Sequence, residues 1–284
     1  MKIGFVMVNY NDASNVEHML EMLKDYPMID QIVIVDNAST DDSLQKIKQL
    51  ESDRVIVLAS EQNGGYGAGL NIGAKYLNAM YPDCYIVMSN TDIILYGEQD
   101  LKELIATFDE ETAVVGPVIR EHKGYNCGWK IPTPWEDITL SLPYIYHHFL
   151  KKNRYSREQI GHDIKTVEVV SGSFFIVKGT DLEKVGYFDE NLFLYYEENA
   201  LSKKLQTINK KVKINGKVEI FHNHSVTINK THTSVQKYQN LKKSQYYFQT
   251  KYNHAGMINR LTMKLLFGIV TFGLKMRNAK HKND

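Results

Sequence analysis

Two carboxylates at strand ends and one pair of adjacent glutamates are the residues of this chain best placed to do chemistry. Asp36 closes the run QIVIVDNAS, Asp92 closes CYIVMSNTD, and Glu197 and Glu198 sit within FDENLFLYYEENAL. Each Asp follows an apolar run of strand length, and in open α/β sheets ligands collect outside the carboxyl ends of the strands. Asp36 can accept the imide N–H of a uracil or thymine ring there. Its plainer role is in a turn that Ser39, Thr40 and Asp41 already suffice to cap. Asp92 can give one carboxylate to Mg²⁺ or Mn²⁺, since such hard cations take one or two carboxylates plus substrate phosphates. Neighbouring glutamates on a helix point about 100° apart, so only one of Glu197 and Glu198 can face a cleft as a general base. Together these residues imply an enzyme that holds a metal-bound nucleotide diphosphate and deprotonates an acceptor.

Two more segments add candidates. Gln62–Gly73 holds five glycines that allow close backbone approach to a ligand or to the sheet. It has neither the G-x-G-x-x-G spacing nor the Gly-Lys-Ser/Thr of a P-loop. His222 and His224 follow the strand-like Val218–Phe221 and would point to one face, where either could join a metal.

The elements that must position these groups alternate along the first half. Ile3–Val8, Gln31–Val35, Arg54–Leu58 and Tyr85–Met88 read as buried, parallel strands. Helices are expected after Asp12 or Ser14, after Ser39–Asp42, and from the glycine cluster to about Tyr81. That alternation predicts an α/β fold with a doubly wound, mostly parallel sheet flanked by helices. A helix over Leu101–Asp109 and a strand over Ala113–Arg120 follow. Residues 121–166 lose any period and read as an irregular insertion covering the sheet, with Trp129 and Trp135 as an aromatic wall for an acceptor. Order returns with a strand over Val167–Val177, a helix near Asp181–Val185, a helix from the YYEE run to about Asn209, and strands near Val212–Ile214 and Val218–Phe221. From about Val235 the chain reads as helical.

Composition is that of a soluble globular protein: 284 residues, 43% hydrophobic and 24% charged, with a net charge of +1. The charge is unevenly spread. Residues 227–284 hold 11 Lys/Arg against one acidic residue, a balance of +10, while residues 1–226 hold 23 against 32, a balance of −9. A basic tail on an acidic body implies a negatively charged partner for the tail. Leu265–Leu274 is a ten-residue apolar run between Arg260 and Lys264 on one side and Lys275, Arg277, Lys280 and Lys282 on the other. That is about half of a membrane span. It fits the interface of an anionic leaflet at about 1 kcal/mol per basic residue, with packing on the catalytic domain or in a homodimer as the alternative. Cys84 and Cys127 form no disulfide framework. The N-terminal IGFVMV run turns polar at Asn9 and reads as a strand rather than a signal peptide. A cytoplasmic protein is expected, peripheral on the inner face of the cell membrane if the tail binds lipid. A nucleic-acid partner is not expected.

The order of VMVNYND, VDNASTDDS, EQNGGYGAGLNIG, MSNTD, SGSFFIVK, VGYFDENLFLYYEENAL and FHNHS, from Phe5 to Ser225, resembles the inverting nucleotide-sugar glycosyltransferases of family 2. These have the GT-A fold, and the likeness is nearest to bacterial rhamnosyltransferase-like enzymes of surface polysaccharide synthesis. The resemblance implies a GT-A catalytic domain over residues 1–226, with a nucleotide-sugar half (1–120) and an acceptor half (121–226), followed by a basic helical segment over 227–284. It places Tyr10 and Asp36 at the nucleoside, and Asn63, Gly64, Gly65, Asn90 and Thr91 beside a UDP- or dTDP-sugar donor. It places Asp92 on the metal with His222 or His224, Ser171, Gly172 and Ser173 with Tyr196 at the acceptor, and Glu198 at the base position, with Glu197 still open as the base. The acceptor would be a glycan, a lipid-linked sugar or a glycoprotein. The chain departs from the family pattern at Asn90, at Glu198 in place of Asp, and at Ala200 in place of a second Asp. A non-catalytic sugar-nucleotide binding protein would fit the loss at Ala200. A nucleotidyltransferase would show a basic glycine-rich loop after the first strand, and VNYNDAS has none.

Overall fold

Strand β1 (Lys2–Asn9) is buried on both faces and pairs in parallel with β2 (Gln31–Asp36) on one side and β4 (Cys84–Ser89) on the other. The computed structural model describes residues 1–140, 153–223 and 234–280. β3 (Val55–Ala59) extends the parallel set beyond β2. The opposite half is built from β9 (Phe174–Lys178), β6 (Thr112–Glu121), β10 (Lys211–His222) and β5 (Ile93–Ile94), giving the order β3-β2-β1-β4-β9-β6-β10-β5. β7 (Gly124–Asn126) pairs with β6, and β8 (Ile164–Val167) with β10. The sheet is therefore parallel through its first four strands and mixed beyond, because β9 runs antiparallel to both β4 and β6.

Helices cover both faces. One apolar layer holds Phe5, Met7, Val16, Met19, Leu23 and Ile176 beneath α1 (Ala13–Leu23), α2 (Ser43–Lys48) and α4 (Glu98–Ala106). The other holds Val6, Leu70, Leu77, Met88, Leu182 and Leu205 beneath α3 (Tyr66–Met80), α7 (Gly179–Lys184) and α8 (Glu197–Gln206). The glycine cluster is largely explained here. A Cβ on Gly69 would lie 2.8 Å from Val8 Cγ1 and one on Gly73 2.5 Å from Val6 Cγ1, while Leu77 fills the space over Gly4. Steps of four along α3 thus meet steps of two along β1, and the glycines let the helix lie close on the sheet.

Three expectations change. The strand expected over Val167–Val177 is two: β8 on the edge and β9 in the interior, joined by a crossing whose Val169 pairs with Trp129. The two strands expected after Lys211 are one, β10, with an irregularity between Asn215 and Glu219. There Gly216 packs under the Gly161 carbonyl, 2.4 Å from where a Cβ would stand. The insertion carries short elements: β7, α5 (Pro134–Leu140), α6 (Arg157–Ile160) with a Ser156–Gln159 capping box, and β8.

The tail is helical, as α9 (Ser234–Lys251) and α10 (Met257–Lys280). α9 is fastened to the body. Phe248 is fully buried against Tyr196, and Lys251, Tyr247 and Tyr252 converge on Asp189 at 2.7, 3.1 and 2.7 Å. Burial opposes the charged form of Asp189, but Lys251, Tyr252 and Asn191 outweigh it and hold the carboxyl well below the usual range. A second buried carboxyl, Asp137 of α5, accepts from Tyr196 Oη at 2.8 Å and from Gln249.

Burial pushes the Asp137 carboxyl up to about 6, against the hydrogen bonds of Gln249, Tyr196 and Gln245. Because the folded chain holds this proton more tightly than the unfolded one, stability falls as pH rises from about 4 to about 6 and is level above that. Asp137→Asn should flatten this limb and gain as much as about 2 kcal/mol at neutral pH. Thermal melts across that range check it, and an unchanged pH dependence would remove Asp137 from the role.

Candidate active site

The carboxyl ends of β1, β2 and β4 lie side by side, with Asn9 in register with Asp36. Asp36 is fully buried. Its Oδ1 accepts from Asn9 Nδ2 at 2.8 Å and from Ser39 Oγ at 2.6 Å, and its Oδ2 accepts from Ser39 N at 2.9 Å. It therefore shapes the turn after β2 from below, while the half-buried Tyr10 stands beside that turn on β1's exit. Asn37, also buried, donates to Asn63 Oδ1 at 3.1 Å and to the Gly65 carbonyl at 3.0 Å, and accepts from Gly64 N at 3.3 Å. Gly65 adopts φ +92°, and a Cβ there would stand 2.1 Å from the Phe193 carbonyl. The Asn63–Gly65 loop is thus clamped between the end of β2 and the bent segment that leads to Glu197.

The turn after β4 carries the metal candidates. His222 Nε2 lies 3.0 Å from Asp92 Oδ1 and 3.4 Å from Asn90 Nδ2. The backbone fixes this pairing, since Ile93 of β5 is opposite His222 of β10 and Asn223 N donates to the Asp92 carbonyl at 3.0 Å. One carboxylate oxygen and one ring nitrogen make a partial donor set. That fits a hard divalent cation whose other ligands are phosphate oxygens and water. Among the described residues no group of three or more His, Cys, Asp or Glu could hold a metal alone. His224 lies outside the described residues. Thr91 Oγ1 donates to Asp12 Oδ2 at 3.1 Å, which brings the residue before α1 to the same turn.

Ser171-Gly172-Ser173 stands between these groups and the glutamates. Gly172 N donates to Glu198 Oε1 at 3.0 Å, and the Gly172 carbonyl accepts from Tyr66 Oη at 3.0 Å. The Ser173 carbonyl accepts from Asn90 N at 2.8 Å, and the two serine hydroxyls bond each other at 2.9 Å. Burial raises the Glu198 carboxyl above its ordinary value, against the Gly172 N–H that favours its charge. Glu197 is more deeply buried, with Cγ 3.4 Å from where a Cβ on Gly67 would stand, and its Oε1 has no hydrogen-bond partner. Burial, then the neighbouring Glu198, pushes it well above the usual range, so its charged form is disfavoured. The pair is therefore split as the 100° rule requires. Glu198 lies half-buried against Gly172, and Glu197 points into the protein. Burial also raises Tyr66, together with the charges of Glu198, Glu197 and Asp92, so both halves of the site bear on one hydroxyl.

The acceptor-side aromatics divide. Trp129 is half-buried, pairs with Val169 and donates its indole N–H to Asn199 Oδ1 at 3.0 Å, one residue beyond Glu198. Trp135 is 56% exposed on α5. The Tyr196 hydroxyl is committed to Asp137 and its ring to Phe248, so it braces the segment from behind rather than lining an open wall. Ala200 lies in the same apolar cluster, with Leu192 and Phe248, a poor place for a second carboxylate. Asn9, Asn37, Asp12, Tyr66 and Asn199 belong to the site's framework but were not singled out from sequence. Only Asn9 and Asn37 carried a signal, as polar residues where an apolar strand ends.

The model of the family described as glycosyl transferase family 2 matches residues 5–185. A hexosyltransferase of low-salt glycan biosynthesis, Agl10 of Haloferax volcanii, is 24% identical over 239 residues, covering 83% of this chain and 72% of that protein. An N-acetylglucosaminyl-diphospho-decaprenol L-rhamnosyltransferase of Mycobacterium tuberculosis is 26% identical over 218 residues, covering 70% and 69%. The mannosyltransferase PcManGT of Pyrobaculum calidifontis, solved with GDP-Man and Mn²⁺, superposes with a TM-score of 0.55 at 13% identity, covering 100% of this chain and 81% of that one. With the family model spanning most of the chain and the sheet carrying its polar residues at the strand ends, this chain belongs to glycosyl transferase family 2 and is a glycosyltransferase.

Proposed function

We propose that the chain catalyses metal-dependent, inverting transfer of a single sugar from a UDP- or dTDP-sugar to an acceptor hydroxyl in glycan synthesis, with a lipid-linked sugar as acceptor. The observation that carries this reading is the three-residue bridge at Gly172, which holds Glu198 on one side and the Asn90–Asp92 turn on the other. A base and a diphosphate-binding turn held across one rigid segment suit an in-line displacement. The acceptor oxygen attacks the anomeric carbon from the side opposite the diphosphate, and Glu198 takes the hydroxyl proton. The bond from the anomeric carbon to the diphosphate oxygen breaks, and its electron pair leaves with the nucleoside diphosphate. Asp92 and His222 would hold a divalent cation, which would supply Lewis-acid charge for that leaving group. Tyr10 and the Asn63–Gly65 loop flank the donor, while Asp36 supports the turn over which the base lies. Ser171, Ser173 and Trp129 border the acceptor side.

The Mycobacterium relative's named acceptor, a diphospho-decaprenol-linked sugar, supports the lipid-linked acceptor, and the Mn²⁺ of the Pyrobaculum enzyme supports the metal. That enzyme's GDP-Man makes the base the first thing to test. A panel of UDP-, dTDP- and GDP-sugars scored for metal-dependent nucleotide release, with and without a lipid-linked acceptor, should single out a UDP- or dTDP-donor. Release from GDP-sugars alone would overturn the pyrimidine assignment, and donor binding without any release would make the chain a binding protein.

Glu198→Gln should lower kcat by about 10²–10⁴-fold with donor affinity kept, because it removes the base and little volume. Glu197→Gln should lower it by less than about tenfold, since that side chain is buried against Gly67 rather than held at Gly172. The raised Glu198 value also sets a direction: kcat should climb with pH through an apparent pKa above the ordinary glutamate range. A reversed ranking of the two variants would move the base to Glu197.

Asp92→Asn should weaken nucleotide diphosphate binding in the presence of Mn²⁺ by about tenfold or more and leave metal-free binding unchanged. His222→Ala should act in the same direction. Titration calorimetry with and without metal reads this apart from turnover, and equal affinities throughout would leave Asp92 as a turn residue.

A further inference from the structure

The outer face of α10 is apolar along its whole length. Met257, Ile258, Leu261, Leu265, Ile269, Phe272 and Met276 are each at least half exposed. On a helical wheel they fall within about 120°, a continuous stripe about 30 Å long. The opposite face is already used. Met263 is buried, Phe267 stacks on Tyr238 of α9 with ring centroids 6.1 Å apart, and α10 packs along α9 and α5. The helix is thus apolar on both sides but covered on only one. The ten-residue run read from sequence understates it, since Met257–Met276 is long and apolar enough to cross a bilayer, with almost none of it buried.

Charge identifies what covers the stripe. Arg260, Lys264 and Lys275 lie along one edge of the apolar arc, Lys264 reaching over the Tyr246 ring of α9. Residues 234–280 contain no Asp or Glu at all. A second copy of α10 is therefore a poor partner. Antiparallel pairing would set Arg260 and Lys264 against the other copy's Lys275, parallel pairing would set each cation against itself, and neither has a carboxylate to offset the repulsion. An apolar stripe edged only by cations matches acyl chains beneath anionic headgroups.

We propose that α10 lies in the interface of an anionic membrane, its outer stripe among the acyl chains and Arg260, Lys264 and Lys275 at headgroup level. It does not cross the bilayer, because α9 packs along its inner face and carries Lys237, Gln239, Asn240, Lys242 and Lys243, which hydrocarbon would not accept. α9 in turn binds the Leu194 carbonyl through Ser244 and the Asp137 carbonyl through Gln245, at 2.8 and 3.1 Å. The membrane surface is thereby held in a fixed relation to the segment bearing Glu198. On the transfer reading given above, this would place a lipid-linked acceptor within reach of the site.

The intact chain should cosediment with vesicles of phosphatidylglycerol and phosphatidylcholine at low salt. It should stay in the supernatant with phosphatidylcholine alone, and a carbonate wash should release the bound fraction. Leu265→Gln/Ile269→Gln/Phe272→Gln should weaken vesicle binding by about tenfold or more with an unchanged thermal melt. No binding by the intact chain, or equal binding by the triple variant, overturns the proposal. Retention through carbonate would make α10 a spanning helix. A dimer in sedimentation equilibrium that the triple variant splits, with no vesicle uptake by either, would assign the stripe to a second copy. None of these readouts needs donor or acceptor. Vesicle binding without nucleotide release in any donor panel would thus fault the transfer reading alone.

Discussion

The backbone of Gly172 is the contact around which the site is assembled. Its N–H meets the Glu198 carboxylate, its carbonyl meets the Tyr66 hydroxyl, and a Cβ at this position would stand 2.2 Å from Glu198 Oε1. Only glycine lets the glutamate approach so closely. The segment owes its place to the sheet, because β9 enters antiparallel beside β4 with Ser89 opposite Phe174. The residues just before β9 therefore arrive where β4 has just ended, next to Asn90. A parallel strand in that slot would have delivered its other end there. The change of direction between β4 and β9 is what joins the Asn90–Asp92 turn to the segment that holds Glu198.

The glutamates reach Gly172 through a strained turn. Tyr195 and Tyr196 both adopt left-handed conformations, with φ of 73° and 70°, immediately before α8. Each costs about 1 kcal/mol or more for a bulky residue, so the turn persists only because its surroundings hold it. The holding groups come from elsewhere in the chain: Asp137 of α5 on the Tyr196 hydroxyl, Phe248 of α9 on its ring, and Ser244 on the Leu194 carbonyl. The tail helix is thus a structural support of the segment that carries Glu198, whatever its outer partner.

Much of this was legible in the residues. The four parallel strands, the helices between them, the polar strand ends at Asp36 and Asp92, and the helix that carries Glu197 and Glu198 all lie where periodicity and turn chemistry place them. What could not be read is what depends on pairing across the chain. The Ser171-Gly172-Ser173 break inside Val167–Val177 was a local signal for two strands, but which part of the sheet each joins depends on pairing across the chain. Nothing around Val212 and Val218 reveals that β6 keeps them in one strand across an irregularity. Periodicity predicted helix through Tyr195 and Tyr196, whereas tertiary contacts hold them left-handed. The glycines were read as backbone room near a ligand or near the sheet; Gly69 and Gly73 answer to Val8 and Val6, and Gly65 to Phe193. Asp36 was read either as a nucleobase contact or as a turn residue, and its three hydrogen bonds from Asn9 and Ser39 are seen only in the fold.

The buried Glu197 bears on how the protein tolerates a highly charged ligand. On the transfer proposed above, a nucleotide diphosphate would arrive with at least two negative charges, and each ionised carboxylate nearby would repel it through poorly screening protein. Were both glutamates ionised, the cleft would oppose its donor with twice the local charge. Sinking Glu197 beneath Gly67 with an oxygen left unpaired disfavours its charged form, so the side chain fills volume while adding less to that repulsion.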